Sequence, residues 1–375
     1  MADAVIVTDA KYRAALAAVR SLGEAGYTVI LTQTIKDSPE TIPASYSVHA
    51  AETLRLEGSV SDESYKERLK DAVLTVSRKY GRPALFPIGA VTLATLAEHE
   101  SEFGELCDFL VADPDTLRDL NDKETVAKAA QRLSIRVPKA IEGTPDRYPV
   151  IIKPRCGEKF GLTAKDRYVI AANREDYEKG FAAMSRYGGP PLVQEKIDGD
   201  GIGVSVLMGR EGETLSYICH RRLREYPATG GPSACCVSIR DEQRAADAVK
   251  LLRSFGFRGF AMVEFKGDAL LEVNPRIWGS YPLTYVSGSS FAENYVKAAK
   301  GRSDLAAADD YKAGVKMHFI LSDLAACADC LRRGQTKKAA AGFADILFHR
   351  AAEGMDAKGD RRPYRTYLRL KLLKK

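Results

Sequence analysis

Apolar positions in the first hundred residues alternate between short continuous runs and longer stretches with helical spacing. Residues 4–8 predict a buried strand, and residues 11–25 predict an amphipathic helix that Gly26 ends. A second strand predicted at residues 27–32 completes a β–α–β unit, which favours a parallel sheet covered by helices. The pattern continues with a helix, a strand and a helix near residues 62–80, 84–88 and 91–103. No Gly-x-Gly-x-x-Gly motif follows the first strand, so a dinucleotide site is not predicted.

A β-hairpin is predicted later in the chain. Strands at Phe260–Phe265 and Ala269–Val273 flank Lys266-Gly267-Asp268, whose glycine and aspartate are typical turn residues. The hairpin matters because polar residues occur at alternating positions among its apolar ones.

Polar side chains of this hairpin are predicted to converge on one face. Glu264 lies on one face of the first strand, and Leu270, Glu272 and Asn274 share a face of the second. A buried carboxylate needs a positive partner, and carboxylate and amide oxygens suit Mg²⁺, which usually also binds substrate phosphates. Arg276 follows directly and is suited to an anion. The alternative is a surface hairpin whose acids are solvated.

Glu264, Glu272 and Asn274, with Glu-x-Asn-Pro-Arg over residues 272–276, resemble the metal-binding end of the ATP-grasp superfamily. Its members include D-alanine–D-alanine ligase, biotin carboxylase and the carbamoyl phosphate synthetase large chain. The chain looks like a stand-alone member of the carbamoyl-phosphate-synthetase-like or D-alanine-ligase-like type. The resemblance implies an α/β ATP-grasp fold preceded by a small open α/β domain. It also implies ATP and Mg²⁺ as cofactors, with Mn²⁺ as an alternative metal and the two acids and the amide as metal ligands.

Two lysines are expected from this resemblance to hold the ATP phosphates. Lys123 opens a helix predicted at residues 120–133, and an exposed helix-start lysine is the alternative for it. Lys153 lies alone among apolar residues of a strand predicted at residues 149–154, where an unpaired lysine needs an anion. Residues 155–163 correspond to the phosphate-covering loop, although they contain two glycines rather than a glycine-rich run.

A strand predicted at residues 191–197 resembles the hinge whose backbone pairs with adenine. The nucleotide-binding residues implied here are Glu195, Lys196, Ile197 and Asp198. Many relatives then carry an acid for the ribose hydroxyls, but Ile202 occupies that position, so Asp198 or Asp200 is the expected substitute.

A basic stretch at residues 220–233 follows a strand predicted at residues 214–219. Its three arginines, histidine and Gly-Gly turn are donors suited to carboxylate or phosphate oxygens. An exposed basic loop paired with Glu225 is the alternative. The resemblance makes Arg222 and the Gly230-Gly231 turn site candidates.

The 375-residue chain carries a net charge of +6 from 56 basic and 50 acidic residues. Residues 358–375 hold eight Lys or Arg and one Asp, which leaves the rest of the chain about neutral at −1. Helical spacing of Tyr364, Leu368 and Leu372 indicates an amphipathic helix there. This tail is suited to a membrane surface or an acidic partner, although docking onto the protein's own core is the alternative that we favour. The body lacks the basic face typical of nucleic-acid binding.

The seven cysteines are odd in number and irregularly spaced, which favours reduced thiols in a cytoplasmic protein. Cys327-x-x-Cys330 lacks a second pair and does not predict a zinc site. No apolar run reaches membrane-spanning length, and no signal-peptide pattern opens the chain.

These patterns predict four segments. They are an N-terminal α/β domain at residues 1–115, an ATP-grasp lid with its entry helix at 116–205, a metal-binding and catalytic subdomain at 206–335, and a basic extension at 336–375.

The resemblance implies an ATP-dependent carboxylate–amine ligase that acts through an acyl phosphate and releases ADP and phosphate. Arg276 or Arg222 is expected to stabilise the acyl phosphate or the tetrahedral intermediate, and Trp278 either walls the acceptor pocket or packs in the core. The expected partners are small carboxylate and amine substrates, and a homo-oligomer is compatible with the sequence.

Two other functions stay open at this point. One is a bicarbonate-using carboxylase or carbamoyl-phosphate-type enzyme, which the chain's lack of a biotin or ammonia-delivery domain disfavours. The other is a nucleotide-binding regulator without catalysis. The missing ribose acid and the glycine-poor loop favour the regulator, whereas the complete Glu–Glu–Asn set favours an enzyme.

Overall fold

Three β-sheets organise the computed structural model, which describes residues 3–38, 41–155, 162, 167–228 and 230–373. The sheets have four, three and seven strands and follow one another along the chain. Within the described part, no helix is both long and apolar enough to cross a membrane.

The four-stranded sheet belongs to the N-terminal region and is parallel throughout, in the order β3-β2-β1-β4. Its elements are β1 Ala4–Val7, α1 Arg13–Glu24, β2 Thr28–Thr34, β3 Ala50–Leu56, α2 Tyr65–Tyr80, β4 Ala84–Phe86, α3 Ala90–Glu98 and α4 Glu100–Gly104. The predicted open parallel sheet is confirmed. Strand β3 was not predicted because it is an edge strand that buries only Leu56. The helix predicted at residues 91–103 divides at His99 into α3 and α4.

The three-stranded sheet, here called the small sheet, is antiparallel in the order β6-β5-β7. The elements from its approach to its last strand are α5 Pro114–Asn121, α6 Lys123–Arg132, β5 Val150–Lys153, β6 Val169–Ala171, α7 Arg174–Ser185 and β7 Leu192–Glu195. It has a separate apolar core that includes Val150, Ile152 and Val193. Apart from Arg155 and Leu162, the predicted phosphate-covering loop lies outside the described residues.

The seven-stranded sheet, here called the large sheet, has the order β12-β11-β8-β9-β10-β13-β14. Its first five strands and one helix are β8 Gly201–Met208, β9 Thr214–Glu225, β10 Ser233–Ile239, α8 Glu242–Ser254, β11 Gly259–Lys266 and β12 Ala269–Asn274. Strand β9 continues to Glu225, six residues beyond the predicted end at residue 219, so the alternative of an exposed loop does not hold for residues 220–225. The arginines of this segment interrupt the apolar pattern by which a strand is predicted. In the structure, acids on neighbouring elements neutralise the charges of these arginines.

The remaining elements close the large sheet and return the chain to the N-terminal region. They are α9 Pro282–Val286, α10 Phe291–Ala299, β13 Lys316–His318, α11 Ile320–Arg332, α12 Thr336–Phe348, β14 Ala352–Glu353 and α13 Arg362–Leu373. Helix α13 lies on a short 3-10 turn at Pro43–Tyr46, and Tyr364 and Tyr367 pack against the core. The structure thus agrees with docking of the basic extension onto the protein itself.

A buried ion pair fastens this extension to the N-terminal region. The side chain of Arg20 is 1% exposed and donates from Nε to Oδ2 of Asp360 over 2.8 Å. Asp360 also accepts from Oγ of Ser47 and from the backbone N–H of Val48. The chain's two ends are therefore held together by charge as well as by apolar packing.

Candidate active site

The hairpin of β11 and β12 brings the predicted acids together. Glu264 lies directly opposite Glu272, and Met262 lies opposite Asn274. A register shift after Glu264 pairs Phe265 with Leu270, so Leu270 turns into the core. The expectation that Leu270 shares the face of Glu272 and Asn274 is wrong, because a bulge reverses the side-chain alternation at that point.

Glu264 is held by an arginine from another strand. Arg222 of β9 contacts Oε1 of Glu264 through Nη2 at 2.7 Å and Oε1 of Glu225 through Nη1 at 3.2 Å. Asn274 donates from Nδ2 to the same oxygen of Glu264 over 3.1 Å. Burial raises the pKa of Glu264, and Glu272 adds to that rise, whereas Arg222 opposes it. Removing Arg222 would therefore leave a buried carboxylate without a counter-charge.

Arg222 reaches Glu264 across strand β8, which lies between β9 and β11. Gly203 of β8 pairs with both Glu264 and His220. A Cβ atom on Gly203 would lie 2.3 Å from Cε1 of His220, so only glycine leaves room for that ring. The bare backbone of β8 thus lets side chains of β9 approach the acids of the hairpin.

Glu272 is held by two lysines. Nζ of Lys123 lies 2.9 Å from Oε2 of Glu272, and Lys153 of the small sheet lies within electrostatic reach. Although burial disfavours the charge of Glu272, Lys123 and Lys153 outweigh it and hold the pKa at about 2. Burial lowers the pKa of Lys153 to about 8 against the attraction of Glu272, and Lys123 adds to the shift. Both predicted phosphate lysines therefore converge on one predicted metal acid.

Helix capping explains the position of Lys123. Asp122 has an extended backbone between α5 and α6, and its side chain accepts from the backbone N–H of Thr125 over 2.7 Å. This cap places Lys123 at the first helical position. Residues of α6 pack against β12, so the lysine lies beside Glu272.

Arg276 forms the end of the site that faces the N-terminal sheet. It donates from Nη2 to Oδ1 of Asn274 over 3.2 Å and from Nη1 to the carbonyl oxygen of Ile277 over 3.3 Å. Its positive charge also reaches Tyr12, in the loop between β1 and α1. Arg276 thus orients the amide of Asn274 and lies between the hairpin and the N-terminal region.

These side chains are called the paired-acid cluster below. Its members are Lys123, Lys153, Arg222, Glu264, Glu272, Asn274 and Arg276. Among the described residues, no group of three or more His, Cys, Asp or Glu side chains is placed to hold a metal. The cluster offers two acids and an amide, a set suited to Mg²⁺ when other oxygen ligands complete the shell.

The four residues predicted at the adenine hinge lie at the end of β7 and directly after it. The backbone N–H of Glu195 donates to the carbonyl of Lys139 over 3.0 Å. Lys196 forms an ion pair with Asp198, whose side chain is 86% exposed. Ile197 lies beside Gly267 of the hairpin turn. This arrangement leaves Asp198 accessible to a ligand.

The other residues that the sequence singled out are used differently from the expectation. Arg221 pairs with Asp200, and Arg224 pairs with Asp323 and Asp345, so two of the three arginines serve ion pairs outside the cluster. Trp278 is 2% exposed within the core, and the structure favours that alternative over a pocket wall.

Two neighbours of the cluster were not among the predicted site residues. Glu225 shares Arg222 with Glu264. His220 lies two residues before Arg222 on β9, and its Nε2 lies 3.2 Å from Oγ of Ser280. Burial and the nearby Arg222 lower the pKa of His220 to about 3, so its ring is neutral at physiological pH. Strand alternation through residue 222 was the signal for His220, but it required β9 to be recognised as a strand.

Comparison with known proteins identifies the fold around this cluster. A family model described as an ATP-grasp domain matches residues 120–280. Biotin carboxylase from Campylobacter jejuni, in a complex with a β,γ-ATP compound, superposes with a TM-score of 0.62 at 18% identity, covering 84% of this chain and 74% of that one. No curated protein sequence matches significantly.

A second solved structure gives the same result. The biotin carboxylase domain of 2-oxoglutarate carboxylase from Hydrogenobacter thermophilus, a dimer with MgADP, ADP and bicarbonate, has a TM-score of 0.61 at 18% identity. The match covers 84% of this chain and 73% of that chain. At such identities the likeness concerns the fold. The family-model match contains every member of the paired-acid cluster, so the predicted resemblance to the ATP-grasp superfamily is confirmed for residues 120–280, as an ATP-grasp domain.

Proposed function

We propose that the chain is an ATP-dependent carboxylate–amine ligase that activates its carboxylate substrate as an acyl phosphate. The observation that carries the proposal is the convergence of Lys123 and Lys153 on Glu272, beside the Arg222–Glu264 pair. Such a site supports phosphoryl transfer, which depends mainly on positioning and on electrostatic stabilisation.

The charges of the cluster fit a triphosphate and its metal. Four cationic side chains lie among three acids, if Glu225 is counted with Glu264 and Glu272. Glu264, Glu272 and Asn274 would hold Mg²⁺, which neutralises charge on the phosphates when it is bound. With the metal in place, Lys123 and Lys153, which neutralise Glu272 in the ligand-free protein, would be able to contact phosphate oxygens. Two structural neighbours form complexes with a β,γ-ATP compound and with MgADP, which supports this ligand pair.

The chain's own residues have distinct parts in the proposed reaction. Lys123 and Lys153 position the γ-phosphate while a carboxylate oxygen attacks its phosphorus and ADP leaves. The amine then attacks the acyl carbon, loses a proton and expels phosphate. Arg276, held against Asn274, lies where it stabilises the negative charge of the acyl phosphate or of the tetrahedral intermediate.

The ligase proposal is tested by trapping the activated carboxylate. The protein is incubated with MgATP, hydroxylamine and a panel of carboxylates, and ADP and hydroxamate are measured together. Equal amounts of both products from at least one carboxylate are expected. Release of ADP that requires bicarbonate and gives no hydroxamate would overturn the carboxylate proposal in favour of a bicarbonate-using enzyme.

A variant connects this activity with the cluster. Glu272→Gln removes the negative charge that Lys123 and Lys153 surround and is expected to lower ADP release by at least about 100-fold. Glu242→Gln, at an exposed position on α8, is the matched control and is expected to have wild-type activity. Unchanged turnover in Glu272→Gln would refute the metal-binding role of this residue.

A further inference from the structure

A cavity outside the paired-acid cluster lies between the N-terminal region and the C-terminal helix. Its volume is about 200 Å³, and its walls come from the loop before α1, from residues 41–44 and from α13. Most of the wall is apolar, with contributions from Leu16, Ala44, Met355, Tyr367 and Leu370. Since an apolar cavity of about 150 Å³ holds benzene, this one has room for a small organic molecule.

Three cationic side chains line the same cavity. They are Lys11, Arg13 and Lys371. Nζ of Lys11 donates to the carbonyl oxygen of Asp37 over 3.1 Å and lies within electrostatic reach of the carboxylate of the same residue. Lys371 is exposed at the end of α13. An apolar wall with positive charge at its edge is suited to a ligand that has an apolar body and an anionic group.

Arg13 is the most informative of the three cations. Its guanidinium lies 3.6 Å from the centre of the Phe319 ring, which holds the group in place. In the part of the chain that the structure describes, Arg13 makes no hydrogen bond or ion pair. Glu353 lies within electrostatic reach, but its carboxylate accepts from the backbone N–H groups of Ile320 and Met355. A positioned guanidinium with unused donors matches the geometry of a carboxylate.

The start of α1 adds to the positive field at this point. Arg13 is the first residue of the 12-residue helix, whose first turn has no acidic residue and no side-chain cap. The partial positive charge at a helix N-terminus favours an anion there. The field of the helix N-terminus adds to the positive charge that Arg13 brings to the cavity.

We propose that this cavity is a binding site for a small organic carboxylate with an apolar body, of amino-acid size. Arg13 binds the carboxylate, Lys11 and Lys371 add positive charge, and the wall from Leu16 to Leu370 covers the apolar part. Helix α13 supplies one wall, so the basic C-terminal extension contributes to a small-molecule site. The proposal does not depend on the ligase assignment.

The cavity also adjoins the paired-acid cluster. Tyr12 lines the cavity and lies within electrostatic reach of Arg276. The charge of Arg276 is thus felt at one residue of the cavity wall.

The experiment uses the full chain and defined probes. Isovalerate, 3-phenylpropionate, L-leucine and L-phenylalanine are each titrated by calorimetry beside the corresponding primary amide at constant ionic strength. At least one carboxylate is expected to bind at least tenfold more tightly than its amide. Absence of binding by all four carboxylates would overturn the proposal.

Three variants locate the bound probe. Arg13→Met removes the carboxylate partner, and Leu370→Trp fills the cavity from the last turns of α13; each is expected to weaken binding at least tenfold. Arg361→Met, at an exposed arginine just before α13, is expected to bind like wild type. Binding that survives both Arg13→Met and Leu370→Trp would place the probe elsewhere and refute the site.

MgATP titrations of the same variants separate this result from the proposed function. Neither Arg13 nor Leu370 belongs to the paired-acid cluster, so MgATP binding is expected to be unchanged, which also shows that the variants are folded. Failure of wild type to bind MgATP would contradict the ligase proposal and leave the carboxylate result standing.

Discussion

Replacing Lys153 by methionine is expected to make the ligand-free protein more stable at neutral pH. Lys153 has a pKa of about 8 in the folded protein, against 10.5 for an ordinary lysine. Each unit of pKa difference corresponds to about 1.36 kcal/mol, so holding this lysine protonated in the cluster costs about 3 kcal/mol. Methionine keeps a similar chain length without the charge and removes that cost.

The gain in stability depends on pH in a defined direction. Because the folded pKa of Lys153 lies below the unfolded value, the unfolded chain binds more protons between pH 8 and pH 10.5. Stability of the wild type therefore rises with pH across this window. The advantage of Lys153→Met is full below pH 8, falls to about 1.4 kcal/mol at pH 9.5 and disappears above the unfolded pKa.

Thermal unfolding of ligand-free protein measures the effect. For a chain of 375 residues, about 3 kcal/mol corresponds to a rise in Tm of about 4 °C at pH 7. Lys139→Met, at an exposed lysine close to the small sheet, is the control and is expected to leave Tm unchanged at each pH. A Lys153→Met variant that is less stable than wild type at pH 7, or whose advantage does not shrink by pH 9.5, would refute the reasoning.

The same variant tests whether Lys153, which destabilises the ligand-free protein, contributes to binding MgATP. Saturation with MgATP at about 100 times Kd is expected to stabilise wild type by about 2.7 kcal/mol. Lys153→Met is expected to lose most of that stabilisation while keeping its higher ligand-free Tm. Equal stabilisation of both proteins would show that Lys153 does not contact the phosphates.

Three further outcomes follow from other parts of the structure. Asp360→Ala is expected to lower the free energy of unfolding by about 3–5 kcal/mol, because it leaves Arg20 charged and buried. Denaturant unfolding measures this change, and a loss below about 1 kcal/mol would contradict the expectation. Gly203→Ala places a Cβ atom 2.3 Å from the His220 ring and is expected to lower the free energy of unfolding by about 1–3 kcal/mol. Gly104→Ala, with open space around its new Cβ atom, serves as the neutral control. The His220 ring, with a pKa of about 3, is expected to show no NMR titration between pH 5 and pH 8, and a midpoint in that range would show that the ring is accessible to protonation.

Local pattern was sufficient for much of the site. Strand alternation and the Gly267–Asp268 turn predicted a hairpin in which Glu264 and Glu272 share a face, because side-chain direction along a strand depends on local backbone geometry. The lone Lys153 in an apolar strand indicated an unmet charge, which the structure places beside Glu272. Burial free energy makes such a lysine informative in any fold.

Local pattern failed where the deciding contact is distant in the chain. Leu270 turned into the core because of a bulge, which adds one residue to β12 and leaves no periodic signal. The strand predicted at residues 214–219 was too short, because the charges of residues 220–225 are neutralised by acids that are distant in the chain, such as Asp323, 99 positions from Arg224.

The sequence by itself determined the parallel N-terminal sheet, the hairpin and the identity of its acids, since periodicity and turn chemistry act over a few residues. Tertiary structure alone decided which cations meet those acids, through the reach of Arg222 across β8 to Glu264 and the packing of α6 on β12. It also decided where the basic extension docks, through a contact between Arg20 and Asp360, which are 340 positions apart in the chain. Pairing of buried charges depends on three-dimensional distance, and no period in the sequence encodes that distance.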